Sequence, residues 1–311
     1  MGYTLGVIGC GTMGIAILSG VIQSLQSKSI FQAIPKWESH TPGTSTPTID
    51  TPDPSLPSQF ITSVTRQESA LKLQQIFGNL GGLGASVHIV VGDNLVVAQQ
   101  ADVVILCCKP QQARTILEQN GIKEALDGKL LISILAGVTL SQLKAWILPT
   151  TKVVRAMPNT PCRIREGMTV VSTLQMSDDM ELDRGIILNI FSSIGRCRFL
   201  EEKHFDACTA LSGSGPAFAC IFLEAMADGG VMMGLPRAEA LELAAQTLQG
   251  AARMALQPNA HPAQIKDSVT TPGGCTIAGL LAMEDGKVRS TIARAIQIAT
   301  ERASELGQPA K

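Results

Sequence analysis

Apolar and polar positions follow two different periods along this chain, and the change from one to the other divides it. From Tyr3, "YTLGVIGCGTMGIAILSGVI" reads as a short buried strand, a glycine turn and a helix beginning near Thr12. Continuous β-rich runs return at "QFITSVTR", "ASVHIVV", "DVVILCCKP" and "KLLISILAG". Helical patterns in "QESALKLQQIFGNLG", "LVVAQQA" and "QQARTILEQNGIKEAL" separate them. Apolar runs without alternation fit strands covered on both faces, so the alternation through about residue 160 predicts an α/β, Rossmann-type doubly wound sheet with right-handed crossovers. "GMTVVST" and "GRCRFLE", on either side of the helix "DDMELDRGIILNIFSSIG", extend its far edge.

From His204 to Lys311 only the helical period remains, in "GPAFACIFLEAMADGGVMMG", "PRAEALELAAQTLQGAARMAL", "HPAQIKDSV" and the stretches around them. Pro216 and Pro236 open two of these helices, where a missing N–H is tolerated. The expected division is a dinucleotide-binding domain over 1–203 and an all-helical domain over 204–311. The helices are apolar on wide faces and rich in Ala, Gly and Met, which predicts packing against a second copy. Between the first helix and the second strand, residues 37–58 are rich in Ser, Thr and Pro and read as a flexible surface insertion.

Composition narrows the function. With 311 residues, 45% of them hydrophobic, the chain can fill the cores of two domains. A net charge of -1 with scattered Lys and Arg gives no basic field for nucleic acid or an anionic membrane, so a small molecule is the expected partner. Apolar runs such as "LLISILAGV" are shorter than a membrane span, and the start lacks the marks of a secretory signal; a cytoplasmic protein is expected. The eight cysteines lie in apolar segments, form no Cys-x-x-Cys pair and read as reduced; with four dispersed histidines, no metal site is expected.

Two constellations carry chemistry. "GCGTMG" (Gly9, Cys10, Gly11, Thr12, Met13, Gly14) matches G-x-G-x-x-G between a strand and a helix. There the first glycine permits the turn, the second admits a pyrophosphate and the third lets helix and strand pack closely. At the end of the second strand an acid would favour a ribose 2′-hydroxyl, but this chain has "SVTR", so Ser63 and Arg66 favour a 2′-phosphate and NADPH, with NADH possible. Late in the chain, "TTPGGCTIAGL" places Gly273 and Gly274 before the N–H groups of Cys275, Thr276 and Ile277 at a helix start. Such a start accepts a carboxylate, with hydroxyls from Thr270, Thr271 and Thr276; an ordinary N-capped helix behind a Pro-Gly turn reads equally well from this stretch alone.

These segments, with "RAMPNTPCRIREGMTVV", "ALSGSGPAF" and "QIKDSVTTPGGCTIAGLLAMEDGKVRS", resemble the Δ1-pyrroline-5-carboxylate reductases over nearly the whole chain apart from the insertion. The resemblance implies a Rossmann domain followed by an interlocked helical dimerisation domain, and a homodimer that assembles further, commonly to a decamer. It implies NADPH-dependent hydride transfer to the cyclic imine 1-pyrroline-5-carboxylate, giving L-proline in the last step of proline biosynthesis. By position it sets Ser63 and Arg66 near the 2′-phosphate, Asn94 near the adenosine end, Lys109 and Pro110 along the cofactor groove, and "ILAG" near the nicotinamide. Thr271, Gly274, Cys275 and Thr276 become the substrate seat, with Thr276 chosen for the hydrogen bond at the ring nitrogen. Two other readings stay open: a hydroxy-acid dehydrogenase using Lys266 or Lys287 as general acid, and a non-enzymatic NADP-sensing scaffold.

Overall fold

A computed structural model of the chain describes residues 2–33, 53–174 and 179–306. Most of the Ser/Thr/Pro-rich insertion therefore lies outside the described residues. The chain folds as two compact units, Met1–Thr209 joined by the chain end from Ala303, and Ala210–Arg302.

The first unit begins with β1 (Tyr3–Ile8), α1 (Thr12–Ala33), β2 (Pro57–Val64), α2 (Gln67–Gly78), β3 (His88–Val91), α3 (Asn94–Gln100) and β4 (Val103–Leu106). It continues through α4 (Ala113–Leu117), α5 (Ile122–Ala125), β5 (Leu130–Ser133), α6 (Leu140–Trp146), β6 (Lys152–Met157), β7 (Gly167–Ser172), α7 (Met180–Ser192), β8 (Gly195–Leu200) and α8 (Phe205–Cys208). The eight strands form one sheet in the order β3-β2-β1-β4-β5-β6-β7-β8. All neighbours are parallel except β6 and β7, which run antiparallel.

Alternate strand residues fill two separate cores, as a pleated strand requires. Leu5 and Val7, Val103 and Ile105, and Leu130 and Ile132 pack with α1, α2 and α7 on one face. Ile8, Val104, Leu106 and Leu131 pack with α3 to α6 on the other. Both faces are covered, which is why these strands carry no polar alternation. The order reverses between β1 and β4, and the crevice at their carboxyl ends is the place such sheets offer to ligands.

Three local expectations need correction. The second strand starts at Pro57, inside the span assigned to the insertion; proline is tolerated at a strand's first residue. "QQARTILEQNGIKEAL" is not one helix: Pro110–Gln112 is a 3₁₀ turn, and Gly121 takes a left-handed φ of +84° that separates α4 from α5. Helix α6 is an addition to the expected elements, although Thr139 and Gln142 close a reciprocal capping box at its start.

The second unit is all helical: a π-helical turn (Thr209–Gly213) leads into α9 (Gly215–Met232), followed by α10 (Arg237–Ala255), α11 (Pro262–Ser268), α12 (Cys275–Asp285) and α13 (Val288–Leu306), whose end belongs to the first unit. Small residues let α9 and α10 approach: a Cβ on Gly230 would lie 3.2 Å from that of Ala240. Among the described residues of this unit, the buried apolar side chains are Ala210, Ala227, Ala240 and Ala244, whereas Ile221, Met232, Met233, Leu243 and Leu281 are exposed. The continuous helical run Glu202–Met232 contains a stretch apolar and long enough, by length and composition only, to cross a membrane. The expectation cited runs such as "LLISILAGV"; the helical turns before α9 make this run longer than those.

Candidate active site

The cradle forms where β1 ends. Gly9 takes φ +81°, and a Cβ there would lie 2.9 Å from the backbone of Cys108, so both the turn and the neighbouring strand end exclude a side chain. Around Gly11 there is no atom within 4 Å of an added Cβ. That open wedge beside the first turn of α1 is what a phosphate-bearing ligand needs. Gly14 does the third job: a Cβ would press on Cys10 Sγ at 3.1 Å and Val7 Cγ1 at 3.2 Å. The turn is fastened by the second strand, because the amides of Gly9 and Cys10 both donate to the carbonyl of Ser63, at 3.2 and 3.0 Å. Thr12 and Met13 lie in the first turn of α1 and do not line the groove.

From this turn a groove of about 780 Å³ runs along the carboxyl ends of the strands, lined by Gly9, Cys10 and Gly11 and by residues that follow β2, β3 and β4. Arg66, Asn94 and Lys109 line it as expected; Pro110 does not. Ser63 lines it too, but is 1% exposed and its hydroxyl donates to Asn94 Oδ1 at 2.8 Å, so that hydroxyl is committed within the protein. Thr65 and Ser69 join Arg66 on the β2 side, and none of the described lining residues is acidic. Thr65 belongs to the hydroxyls of "SVTR" that the sequence reading used, whereas Ser69, Cys107 and Cys108 escape it; the strand-end rule, applied to β4 as well as β1, finds the two cysteines.

Burial pushes the Cys10 thiol up to about 12, Cys108 up to about 11, and Cys107 well up as well. These thiols stay protonated and serve as packing, since the thiolate is the reactive form. All eight cysteines are free, and no group of ligands suited to a metal occurs among the described residues.

In the helical unit, α12 begins where expected. Gly273 adopts φ +68°, and a Cβ on Gly274 would lie 2.5 Å from Thr271 Oγ1. The Gly274 amide donates to the Thr271 carbonyl at 3.1 Å, which closes the turn. Among the described residues no side chain caps α12, as is also so of α2, α7, α9 and α10, whereas Asp93, Thr139 and His261 cap α3, α6 and α11. The first-turn amides of Cys275, Thr276 and Ile277 have no carbonyl within the helix to bind, so the expected N-capped alternative is not what forms. Thr271 and Cys275 are exposed and Thr276 half-buried at this start. Thr270 is not part of the seat, because its hydroxyl donates to the Lys266 carbonyl at 2.7 Å. Lys266 is paired with Asp267, and Lys287 lies in the turn before α13; neither lines a described cavity.

A second, polar cavity of about 340 Å³ in the first unit is lined by Gly137, Thr139, Arg155, Glu202, Lys203, Asp206 and Ser304. Arg155, 7% exposed, pairs with Glu202 at 2.7 Å and lies over the Phe205 ring, 4.7 Å from its centroid. The "RAMPNTPCRIREG" segment, expected as a loop, instead begins as the end of β6 and carries a 3₁₀ helix over Thr160–Ile164; Asn159 Oδ1 accepts from Met168 N and Arg165 Nε donates to Ser193 O.

The comparisons with known proteins agree with this arrangement. The model of the family described as pyrroline-5-carboxylate reductase dimerisation matches residues 202–306, and that described as NADP oxidoreductase, coenzyme F420-dependent, matches residues 51–137. A pyrroline-5-carboxylate reductase of Lophium arboricola is 46% identical over 98% of this chain and 93% of its own length. That of Schizosaccharomyces pombe is 44% identical over 97% of this chain and 98% of its own. Among solved structures, a pyrroline-5-carboxylate reductase of Coxiella burnetii superposes with a TM-score of 0.78 at 29% identity, covering 99% of both chains. The Plasmodium falciparum pyrroline carboxylate reductase with NADP bound gives 0.73 at 26% identity, covering 98% of both. With relatives this similar along almost its entire length, a glycine cradle at β1 and an uncapped α12 behind paired glycines, the chain belongs to the pyrroline-5-carboxylate reductase family.

Proposed function

We propose that the chain reduces 1-pyrroline-5-carboxylate to L-proline with NADPH as the preferred donor. The observation that carries the cofactor half is the groove itself: an open wedge at Gly11 leads to Thr65, Arg66 and Ser69, with no described carboxylate in the lining. A guanidinium and two hydroxyls suit a 2′-phosphate, and a site without an acid does not repel one. Bound there, the reduced dinucleotide supplies the hydride. Gly9, Gly11 and the first turn of α1 hold its pyrophosphate, and Asn94 and Lys109 border its path.

The first-turn amides of Cys275, Thr276 and Ile277 hold the substrate carboxylate, and the Thr276 hydroxyl accepts from the N–H of the protonated ring nitrogen. A protonated imine is already electrophilic, so positioning outweighs a strong general acid. The lysine-dependent dehydrogenase reading has less support, because neither Lys266 nor Lys287 lines a described cavity.

The dimerisation match over 202–306 and the exposed apolar side chains of α9 to α12 support a homodimer as the functional unit, with the decamer as its further assembly. The same match covers the apolar run at Glu202–Met232, which favours a second copy over lipid as its partner. Eight free thiols support a reducing compartment, the cytoplasm.

The test is loss of absorbance at the reduced-nicotinamide band when the cyclic imine is added, with NADPH and NADH compared. Turnover with NADPH and at least tenfold poorer kcat/KM with NADH is expected. Arg66→Ala should erase most of that preference, by raising the KM for NADPH alone. No oxidation of either cofactor by the imine would refute the assignment.

A further inference from the structure

We propose that Ser63 is a positioning residue of the dinucleotide site, acting through Asn94: it fixes the Asn94 amide so that its N–H groups, and not its oxygen, face the cofactor. The inference rests on the NADP reading above. Ser63 is the penultimate residue of β2 and is 1% exposed, which leaves its hydroxyl little access to a ligand. That hydroxyl donates to Asn94 Oδ1 at 2.8 Å, across 31 positions of sequence. A hydroxyl has one proton to give, and giving it to Oδ1 decides which end of the amide is held. The two Nδ2 protons are then directed away from Ser63 on a residue that lines the groove.

The rest of Asn94 is fixed independently. It heads α3, whose start is capped by Asp93 Oδ1, which accepts from the amides of Leu95 at 3.0 Å and Val96 at 3.3 Å. Asp93 therefore sets the backbone, and Ser63 sets the side-chain torsion. A dinucleotide presents mainly acceptor oxygens along its sugars and phosphates, so a fixed donor binds it and an amide turned the other way repels it. The Ser63 carbonyl has a separate task, holding the Gly9 and Cys10 amides, and side-chain substitutions leave that task untouched.

NADPH affinity, read from the fluorescence of the bound nicotinamide, is measured for the unaltered chain, Ser63→Ala, Asn94→Ala, the double variant and Asn94→Asp, each with a melting curve. Ser63→Ala should weaken binding about three- to tenfold, the scale of one hydrogen bond. Its KM for NADPH should rise in parallel while kcat at saturation stays within about twofold. In the Asn94→Ala background the same substitution should change affinity by less than about twofold, because its route of action is gone. Asn94→Asp keeps an acceptor for Ser63 but offers no N–H, and should bind at least about tenfold more weakly. Ser63→Cys, with similar volume and a weaker donor, should fall between Ser and Ala, and it stands in if the alanine variant does not fold. Equal affinity for the unaltered chain and the Ser63 variants, or an undiminished Ser63→Ala effect without Asn94, would overturn the proposal. If the unaltered chain binds no NADPH, the NADP reading fails first and this inference with it.

Discussion

Gly9 and Gly11 exclude side chains for opposite reasons, and that difference can be measured. At Gly9 the left-handed φ and the Cys108 backbone at 2.9 Å make any Cβ a fault of the protein itself. Gly9→Ala should cost about 1–3 kcal/mol of stability as well as cofactor binding. At Gly11 no protein atom objects, so Gly11→Val should keep its melting temperature while losing NADPH affinity; melting curves paired with cofactor titration separate the two. The buried Cys10 thiol and the half-buried thiols of Cys107 and Cys108 give a pH dependence. Cys10, Cys107 and Cys108 favour the neutral form in the folded state, so their stabilising contribution is complete below the ordinary thiol value of about 8.5 and is lost as pH rises through the folded values. Urea midpoints taken in reductant should fall from about pH 9 upward, toward the values of about 11 and about 12 for Cys108 and Cys10, and less steeply in Cys10→Ala. The glycine motif was legible in the sequence because its spacing is local. The Ser63–Asn94 bond was not, since only strand register brings residues from β2 and α3 together.

Helices differ here in how their first turns are satisfied. Asp93 caps α3 and Thr139 caps α6, so removing either side chain should cost about 1 kcal/mol in a urea titration. Helix α12 has no cap to lose: Thr276→Ala should leave stability nearly unchanged yet lower turnover about tenfold to a hundredfold, the scale of one transition-state hydrogen bond. Unaltered steady-state kinetics in that variant would remove Thr276 from the mechanism. The strands and long helices could be read from periodicity, because each has a face, or two, that must be covered. Short pieces such as α4 and α5 could not, since the apolar pattern of "QQARTILEQNGIKEAL" runs through Gly121, and only its left-handed φ shows the break. Whether the late glycine pair led to a capped helix or an open one was equally hidden, because a cap depends on where a side chain points.

At the scale of the whole molecule, the helical unit cannot be self-sufficient with four alanines as its buried apolar side chains. Light scattering after size exclusion should find a homodimer or a larger assembly and no monomer at micromolar concentration. Ile221→Glu, on the exposed side of α9, should shift it toward monomer and aggregate. The sequence marked the change of architecture at residue 204, close to the observed division after Thr209, but not the return of the last helix from Ala303, because periodicity does not tell which neighbour a helix end meets. The glycine cradle is tied from the side: β1 and β2 pair in parallel up to Ile8 and Ser63, and the Ser63 carbonyl takes two amides of the turn. The strands themselves thus carry the shape of the phosphate seat, whatever chain length connects them. A different number of residues between α1 and β2 would leave that tie, and with it the seat, intact.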